Sequence, residues 1–234
     1  MEKAPEMIIP LIHEGSNEKI SIIVVHHNKP EYLNLCLQSL HIMSNLNNYE
    51  VIVVDNNSNK ETQDYLDVLE KQDIKVLRLK ENMYWSAAAN KAVTLADPNS
   101  KYLLFLHDDV VILNQAWMDI LVNAANGRNS GLVGIEMGEY FLSINNQRIM
   151  YPKEWCLLIT RDCWNDAGPW NENLPLVGAA FILSIIAQKK GYNPIAIANS
   201  LIHHYKAPVI SPNLYSSMAQ DAMGVIGKLI PTIV

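Results

Sequence analysis

Short apolar runs alternate with amphipathic stretches along the first half of the chain. Four runs rich in β-branched residues or leucine predict buried strands at residues 20–25, 51–55, 74–79 and 102–107. The stretches after them carry apolar residues at helical spacing and predict helices at residues 30–43, 61–71, 86–96 and 114–126. Pro30 suits the first turn of the first helix, and Ser86 suits the N-cap of the third. This alternation predicts an α/β fold with a doubly wound, mostly parallel sheet flanked by helices.

The second half of the chain has a less regular pattern. Strand character appears at residues 132–135, 155–160 and 195–202, and helix character at residues 161–168, 181–191 and 216–229. No stretch rich in proline, glycine and serine separates the two halves. We therefore expect an N-terminal extension at residues 1–18 and a single α/β domain at residues 19–234, with a nucleotide-binding half at 19–115 and a second half at 116–234.

The composition narrows the class of protein. The 234 residues are 49% hydrophobic and 18% charged, with a formal net charge of −6. Such a chain can bury a large core, and it lacks the basic excess of nucleic-acid-binding proteins. Its three cysteines fit neither a zinc site nor a disulfide framework, and no apolar run reaches the roughly 18 residues of a membrane span. With no recognisable signal peptide, the sequence predicts a cytoplasmic protein, and peripheral contact with a membrane through the apolar C-terminal residues stays open.

Three of the four leading strands end in polar clusters. His26 and Asn28 follow the first strand, Asp55 ends the second, and His-Asp-Asp at 107–109 ends the fourth. Parallel strands place these ends along one edge of the sheet, where ligands bind in such folds. Adjacent carboxylates in an apolar neighbourhood resist joint ionisation unless a cation or hydrogen-bond donors compensate. A divalent cation that holds a diphosphate would do so, although turn or helix-cap chemistry also explains each cluster alone.

Six stretches follow one another in the order and spacing of a known enzyme family. They are SIIVVHHNKPEYLNLCLQSL, YEVIVVDNNSNKET, NMYWSAAANKAV, KYLLFLHDDVVI, LLITRDCWNDAGPWNENLPLVG and KKGYNPIAIANSLIHHYKA. Over residues 20–207 the chain resembles family 2 glycosyltransferases of the GT-A type, among them rhamnosyltransferase-like enzymes of polysaccharide biosynthesis. The resemblance implies a single GT-A domain whose second half binds the acceptor. It also implies transfer from a UDP- or dTDP-sugar to a glycan or glycolipid, with Mn²⁺ or Mg²⁺ as cofactor.

The resemblance also implies roles for residues at matching positions. Donor binding falls to His26, Asn28, Asp55, Asn82, Asn90 and Asp108, and metal binding to Asp108, Asp109, His203 and His204. Asp55 would accept a hydrogen bond from the base of the donor, and His26 would lie against the base or ribose. The chain departs from the family's D-x-D motif at His107, whose imidazole can still face Mn²⁺. The stretch that contains His203 and His204 has an alternative interpretation as an ordinary solvated turn.

A second departure concerns the general base. The acid that follows a glycine in the family is replaced by Ala179 and Ala180. One alternative is a base from elsewhere, with Asp166 and Glu172 as candidates and His203 as an outsider. A second is a retaining reaction that needs no such base, and a third is a protein that binds a nucleotide sugar without transferring it. The sequence leaves these alternatives open.

Aromatic residues near the motifs have two interpretations. Trp155, Trp164 and Trp170 could offer stacking faces to a sugar, but we predict core packing for each, which is the commoner role. Tyr84 and Trp85 either pack or narrow the donor pocket. A regulatory or nucleotidyl-transfer domain is a further alternative, and the lack of a Walker-type or G-x-G-x-x-G loop counts against it.

Overall fold

The structure of the protein, a computed structural model, describes residues 18–44, 48–72, 74–127, 129–142, 147–197, 201–206 and 211–233. Its helices are α1 Pro30–Met43, α2 Lys60–Glu70, α3 Tyr84–Val93, α4 Trp117–Asn126, α5 Arg161–Ala167, α6 Ala179–Lys189 and α7 Pro212–Ile233. Its strands are β1 Ile20–His26, β2 Tyr49–Asp55, β3 Lys75–Arg78, β4 Tyr102–His107, β5 Val110–Ile112, β6 Leu132–Gly134, β7 Met137–Leu142, β8 Gln147–Pro152, β9 Cys156–Thr160, β10 Ile195–Ala196 and β11 Ile202–His204. Apart from Glu18, the extension expected at residues 1–18 lies outside the described residues.

A seven-stranded sheet forms the centre of the fold, in the order β10-β6-β9-β4-β1-β2-β3. Pairing is parallel from β4 through β1 and β2 to β3, and also between β10 and β6. β9 runs antiparallel to both of its neighbours, β4 and β6. The mostly parallel α/β sheet predicted from the sequence is therefore confirmed. The carboxyl ends of β1, β2 and β4 consequently lie along one edge.

Burial on both faces explains the continuous apolar runs of the central strands. In β4, Leu103 and Phe105 belong to the core that includes α3, α5 and α6. Leu104 and Leu106 belong to the core that includes α1 and α4. All four side chains are at most 1% exposed. Helices thus cover both faces of the sheet, which leaves the strand ends as the place for polar chemistry.

The start of α3 differs from the prediction. The helix begins at Tyr84, so Ser86 is not its N-cap. Instead, the backbone N–H groups of Trp85 and Ser86 donate to the Pro175 carbonyl at 3.0 and 3.1 Å. The Ser86 hydroxyl donates to the Leu174 carbonyl at 2.6 Å. A loop from the second half of the chain therefore satisfies the first N–H groups of this helix, which no local pattern can reveal.

The second half departs most from the predicted pattern. The strand predicted at 195–202 is two short strands, β10 and β11, which pair with β6 and β5 respectively. The hairpin of β7 and β8 was not predicted and lies outside the central sheet. α7 starts earlier than the predicted residue 216 and buries Ala222, Ile226 and Ile230 at intervals of four. No helix in the described part of the chain combines the length and apolar character needed to cross a membrane.

Candidate active site

A cavity of about 650 Å³ opens at the carboxyl-terminal edge of the sheet. His26 at the end of β1 and residues 107–109 after β4 line it, and Asn56 lines it from the loop after β2. Tyr215 and Ser216, from the first turn of α7, also line it. The polar clusters at the ends of these strands therefore meet in one cavity, as the parallel topology predicts.

Three side chains in this cavity could hold one metal ion: His107, Asp109 and His204. Their ligand atoms all lie within 4.8 Å of one another. Asp109 Oδ1 lies 3.1 Å from His204 Nε2 and 3.9 Å from His107 Nδ1. Two imidazole nitrogens and one carboxylate would supply three ligands to a divalent cation and would leave its remaining positions to oxygens of a bound molecule. The donor set therefore fits a divalent cation.

A short antiparallel ribbon brings His204 to this cluster. β5 follows Asp109 directly, and β11 pairs with β5 so that His204 lies opposite Val110. The Tyr205 N–H continues the ribbon by donating to the Asp109 carbonyl at 2.9 Å. Because side chains alternate along a strand, the neighbouring His203 lies on the other side of the ribbon, where it is exposed. The structure thus places one of the two histidines expected at the metal in the cluster, and the other outside it.

This difference between the two histidines predicts unequal effects of substitution. His204→Ala should weaken Mn²⁺ binding at least about tenfold, because it removes a ligand nitrogen. His203→Ala is the matched control and should leave Mn²⁺ affinity unchanged. Calorimetric titration of each variant with MnCl₂ measures the difference. Equal affinities in the two variants would show that this cluster does not bind the ion.

His107 is held in the protonation state that binds metals. Burial lowers the pKa of its imidazole to about 4, and His204 acts in the same direction, while Asp109 and Asp108 oppose them. The ring is therefore neutral at pH 7, with a nitrogen lone pair available. The resemblance treated His107 as a departure whose imidazole can still face Mn²⁺, and the geometry places that imidazole in the cluster.

Asp108 makes a separate pair on the β1 side of the cavity. Its Oδ2 lies 2.5 Å from Nδ1 of His26, which is fully buried. The other ring nitrogen, Nε2, has no hydrogen-bond partner among the described residues. Because this nitrogen is buried as well as unpartnered, donor binding by His26 stays a prediction. Asp108, which was expected at both the donor and the metal, is thus engaged with His26 and stands outside the three-residue cluster.

A network behind His204 fixes its ring. Trp155 stacks on the imidazole, with ring centroids 4.8 Å apart and an interplanar angle of 19°. Glu136 accepts a hydrogen bond from Trp155 Nε1 at 3.0 Å and pairs with Lys153 at 2.5 Å. Trp155 and Lys153 both line the cavity. Trp155 is buried, as predicted, but it packs against a residue of the site.

The loop after β2 is braced by its own residues. Asp55 is 2% exposed, and its Oδ1 accepts the Ser58 N–H at 2.8 Å. Asn28 Oδ1 accepts the Asn59 N–H at 2.8 Å, which ties the β1 loop to the β2 loop. Asp55 and Asn28 are not among the described residues that line the cavity. Asn56 does line it, although the sequence analysis did not propose it as a site residue. Donor binding by Asp55 and Asn28 stays a prediction.

Of the remaining residues predicted from the sequence, one lines the cavity and three do not. Asn82 lines the cavity. Asn90 instead joins α3 to a distant loop, because its amide donates to the Trp170 carbonyl at 2.9 Å and accepts the Trp170 N–H at 3.0 Å. The two candidate bases, Asp166 and Glu172, are exposed, and neither is among the described residues that line the cavity. Asp166 lies on α5, and Glu172 accepts a hydrogen bond from Asn90. Their roles also stay predictions.

The two alanines at the family's acid position lie in the hydrophobic core. Ala179 and Ala180 are 3% and 0% exposed. The preceding Gly178 has a φ of +87°, and a Cβ at this position would lie 2.7 Å from Ile226 Cδ1. α7 therefore packs directly on the start of α6. A carboxylate at either alanine would be desolvated by apolar neighbours, so the start of α6 offers no general base to the cavity.

The fold and the cluster together define a class of protein: α/β domains that bind a ligand beyond the carboxyl ends of parallel strands. The chain matches the model for glycosyl transferase family 2 over residues 21–171, more than half of its length, and belongs to that family. The chain is also 25% identical, over 224 residues, to the O-antigen biosynthesis protein RfbC of Myxococcus xanthus. This match covers 81% of the chain but spans only 17% of that relative.

Solved structures confirm the GT-A fold expected from the sequence. A mannosyltransferase of Pyrobaculum calidifontis, PcManGT, solved with GDP-Man and Mn²⁺, matches with a TM-score of 0.70 at 14% identity. The match covers 91% of this chain and 64% of PcManGT. GalNAc-T7, solved with UDP, GalNAc and Mn²⁺, matches with a TM-score of 0.67 at 15% identity, over 82% of this chain and 44% of its own. The chain thus spans less than two thirds of each of these proteins.

Proposed function

We propose that the chain transfers a sugar from a nucleoside diphosphate sugar, UDP- or dTDP-linked, to a hydroxyl of a glycan or glycolipid. The observation that carries the proposal is the cluster of His107, Asp109 and His204 in the cavity at the carboxyl-terminal edge of the sheet. A bound divalent cation stabilises the negative charge that develops on the departing diphosphate. The position of the cluster, beside the ends of β1 and β4, is where such a diphosphate would lie.

The cavity offers the nucleotide a set of contacts on its β1 side. His26 lines this side of the cavity, and Asp108 fixes the orientation of its ring through Nδ1. Asn82 lines the same cavity and supplies an amide group for the base or ribose. Asn56 also lines it, but its amide accepts the Met83 N–H and donates to the Tyr84 carbonyl, so it holds the loop that carries Asn82. Lys206, also in the lining, supplies positive charge for the phosphates. Asp55 stabilises the loop after β2, which carries Asn56, by accepting the Ser58 N–H.

The ligand atoms favour Mn²⁺ over Mg²⁺. Mg²⁺ prefers oxygen ligands alone and dehydrates reluctantly, whereas first-row transition ions accept imidazole readily. The cluster contributes two nitrogens and one oxygen, in place of the carboxylates of a D-x-D motif. The Mn²⁺ in PcManGT and GalNAc-T7 agrees with this choice.

Thermal unfolding in the presence of nucleotides tests the proposal. UDP, dTDP and GDP are each added with Mn²⁺, with Mg²⁺ or with a chelator. A nucleotide at a hundred times its Kd should raise the melting temperature on the order of 5–10 °C, because it binds only the folded state. The rise should require the metal and be larger with Mn²⁺. No response to any nucleotide with either metal would exclude the proposed donor site.

A nucleotide-sugar-binding protein without transferase activity is the second candidate. The observation that favours it is the burial of Ala179 and Ala180, which removes the family's base from the site. Slow metal-dependent release of the nucleoside diphosphate from a nucleotide sugar distinguishes an active enzyme from such a binder.

We also propose a place for the reaction in the cell. Cys36, Cys156 and Cys163 are free and buried, in keeping with a reducing compartment such as the cytoplasm. The similarity to an O-antigen biosynthesis protein of Myxococcus xanthus supports a polysaccharide-building role. Peripheral contact with a membrane that carries the acceptor, and the expected lack of nucleic-acid partners, stay predictions.

A further inference from the structure

Three of the described residues that line the cavity carry carboxylates: Asp108, Asp109 and Glu154. The first two are engaged, since Asp108 pairs with His26 and Asp109 faces the two histidines of the cluster. Glu154 is half-buried, and its carboxylate accepts a hydrogen bond from its own backbone N–H. It is therefore the carboxylate whose remaining acceptor sites are left for a ligand in the cavity.

The register of the sheet fixes where Glu154 lies. The β4–β9 ladder ends at the pair Leu106–Cys156, and the His107 N–H extends it by donating to the Trp155 carbonyl at 2.9 Å. Glu154, two residues before the start of β9, therefore lies at the same edge of the sheet as Asp108, which follows β4. β9 and β1 flank β4 on opposite sides. Along this edge Glu154 consequently lies on one side of β4, and His26, at the end of β1, lies on the other.

We propose that Glu154 is the general base that deprotonates the acceptor hydroxyl, an inference that rests on the proposed sugar transfer. In an in-line displacement the acceptor oxygen approaches the anomeric carbon from the side opposite the diphosphate. The hydroxyl proton passes to the Glu154 carboxylate as the new oxygen–carbon bond forms. The bond from the anomeric carbon to the diphosphate oxygen breaks, and its electron pair leaves with the diphosphate. Glu154 then returns the proton to solvent.

The surroundings of Glu154 suit this role. Desolvation raises the pKa of its carboxyl above the ordinary value, although the hydrogen bond from its own backbone N–H and the charges of Lys153 and His204 act in the opposite direction. A raised pKa makes the ionised carboxylate a stronger proton acceptor. The other acids considered as bases, Asp166 and Glu172, lie outside the described cavity lining. Glu154 thus takes over, from a different strand, the role that the alanines at the start of α6 cannot fill.

Glu154→Gln tests the inference, because it keeps the shape of the side chain and removes the proton acceptor. Glu154→Asp is the conservative variant, and Glu61→Gln, an exposed acid on α2, is the control. UDP-glucose, UDP-N-acetylglucosamine, dTDP-rhamnose and GDP-mannose serve as donors with Mn²⁺ and water as the acceptor. Release of the nucleoside diphosphate gives kcat, and calorimetric titration with UDP and Mn²⁺ gives the nucleotide Kd.

We expect kcat to fall about 10²–10⁴-fold in Glu154→Gln while the nucleotide Kd stays within about threefold. Glu154→Asp should recover part of the rate, which a merely structural role would not require. A Glu154→Gln rate close to that of the unaltered chain would overturn the assignment. So would nucleotide binding without any turnover in the unaltered chain, which points to the binding protein instead. Failure of the unaltered chain to bind any nucleotide would overturn the proposed function itself.

Discussion

Asp109→Asn is expected to abolish Mn²⁺-dependent nucleotide binding and to lower the transfer rate by about three orders of magnitude. Asp109 supplies the only carboxylate of the three-residue cluster, and its Oδ1 is the atom nearest to both imidazoles. Asparagine keeps the volume but removes the negative charge that balances a divalent cation. The remaining amide oxygen is a weaker ligand, because it carries no formal charge.

Calorimetric titration with Mn²⁺ and UDP measures this effect, and initial rates of nucleotide release measure its consequence. Asp64→Asn is a suitable control, because Asp64 is exposed and pairs with Lys60 one turn earlier on α2. This control should retain native affinity and rate. Native Mn²⁺ affinity in Asp109→Asn would mean that the cluster has another purpose, and the proposed donor site would lose its main support.

Trp170→Ala should lower the free energy of unfolding by about 3–5 kcal/mol. Trp170 is 1% exposed, and its ring centroid lies 4.9 Å from that of Trp85 and 5.0 Å from that of Phe105. Truncation would empty the centre of an aromatic cluster between the sheet, α3 and α5. The core packing predicted for Trp170 and Trp164 agrees with this arrangement.

Urea unfolding followed by circular dichroism measures the loss. Trp170→Phe should cost less, because it keeps most of the ring and removes an indole N–H that has no hydrogen-bond partner among the described residues. Tyr215→Ala, at a position 51% exposed, should change stability little. A loss below about 1 kcal/mol in Trp170→Ala would show that the cluster can collapse around the missing ring.

The strands and helices of the first half could be predicted because each one is encoded locally. Runs such as the one that ends at His107 are apolar on both faces, and a strand buried between two layers of helices needs that pattern. The convergence of strand ends followed from the parallel topology. The N-terminus of α3 could not be predicted, since its cap is the Pro175 carbonyl, remote in sequence and contributed by backbone that any residue could provide.

The site was predictable only where a strand end determines it. Which of His203 and His204 faces the cluster depends on the register of β11 against β5, strands of three residues with no periodic signal of their own. The position of Glu154 depends on β9 running antiparallel, which an apolar run does not specify. Asn56 was passed over because a turn of asparagines is ordinary loop chemistry.

The ribbon of β5 and β11 has a consequence for the cohesion of the molecule. The ribbon brings Asp109 close to His204, so an ion bound to both residues cross-links the two ends of the long segment between them. Closing such a loop reduces the freedom of the unfolded chain, and the binding energy of the ion thereby adds to the energy of folding. Removal of the ion with a chelator should consequently destabilise the C-terminal part of the fold as well as abolish sugar transfer.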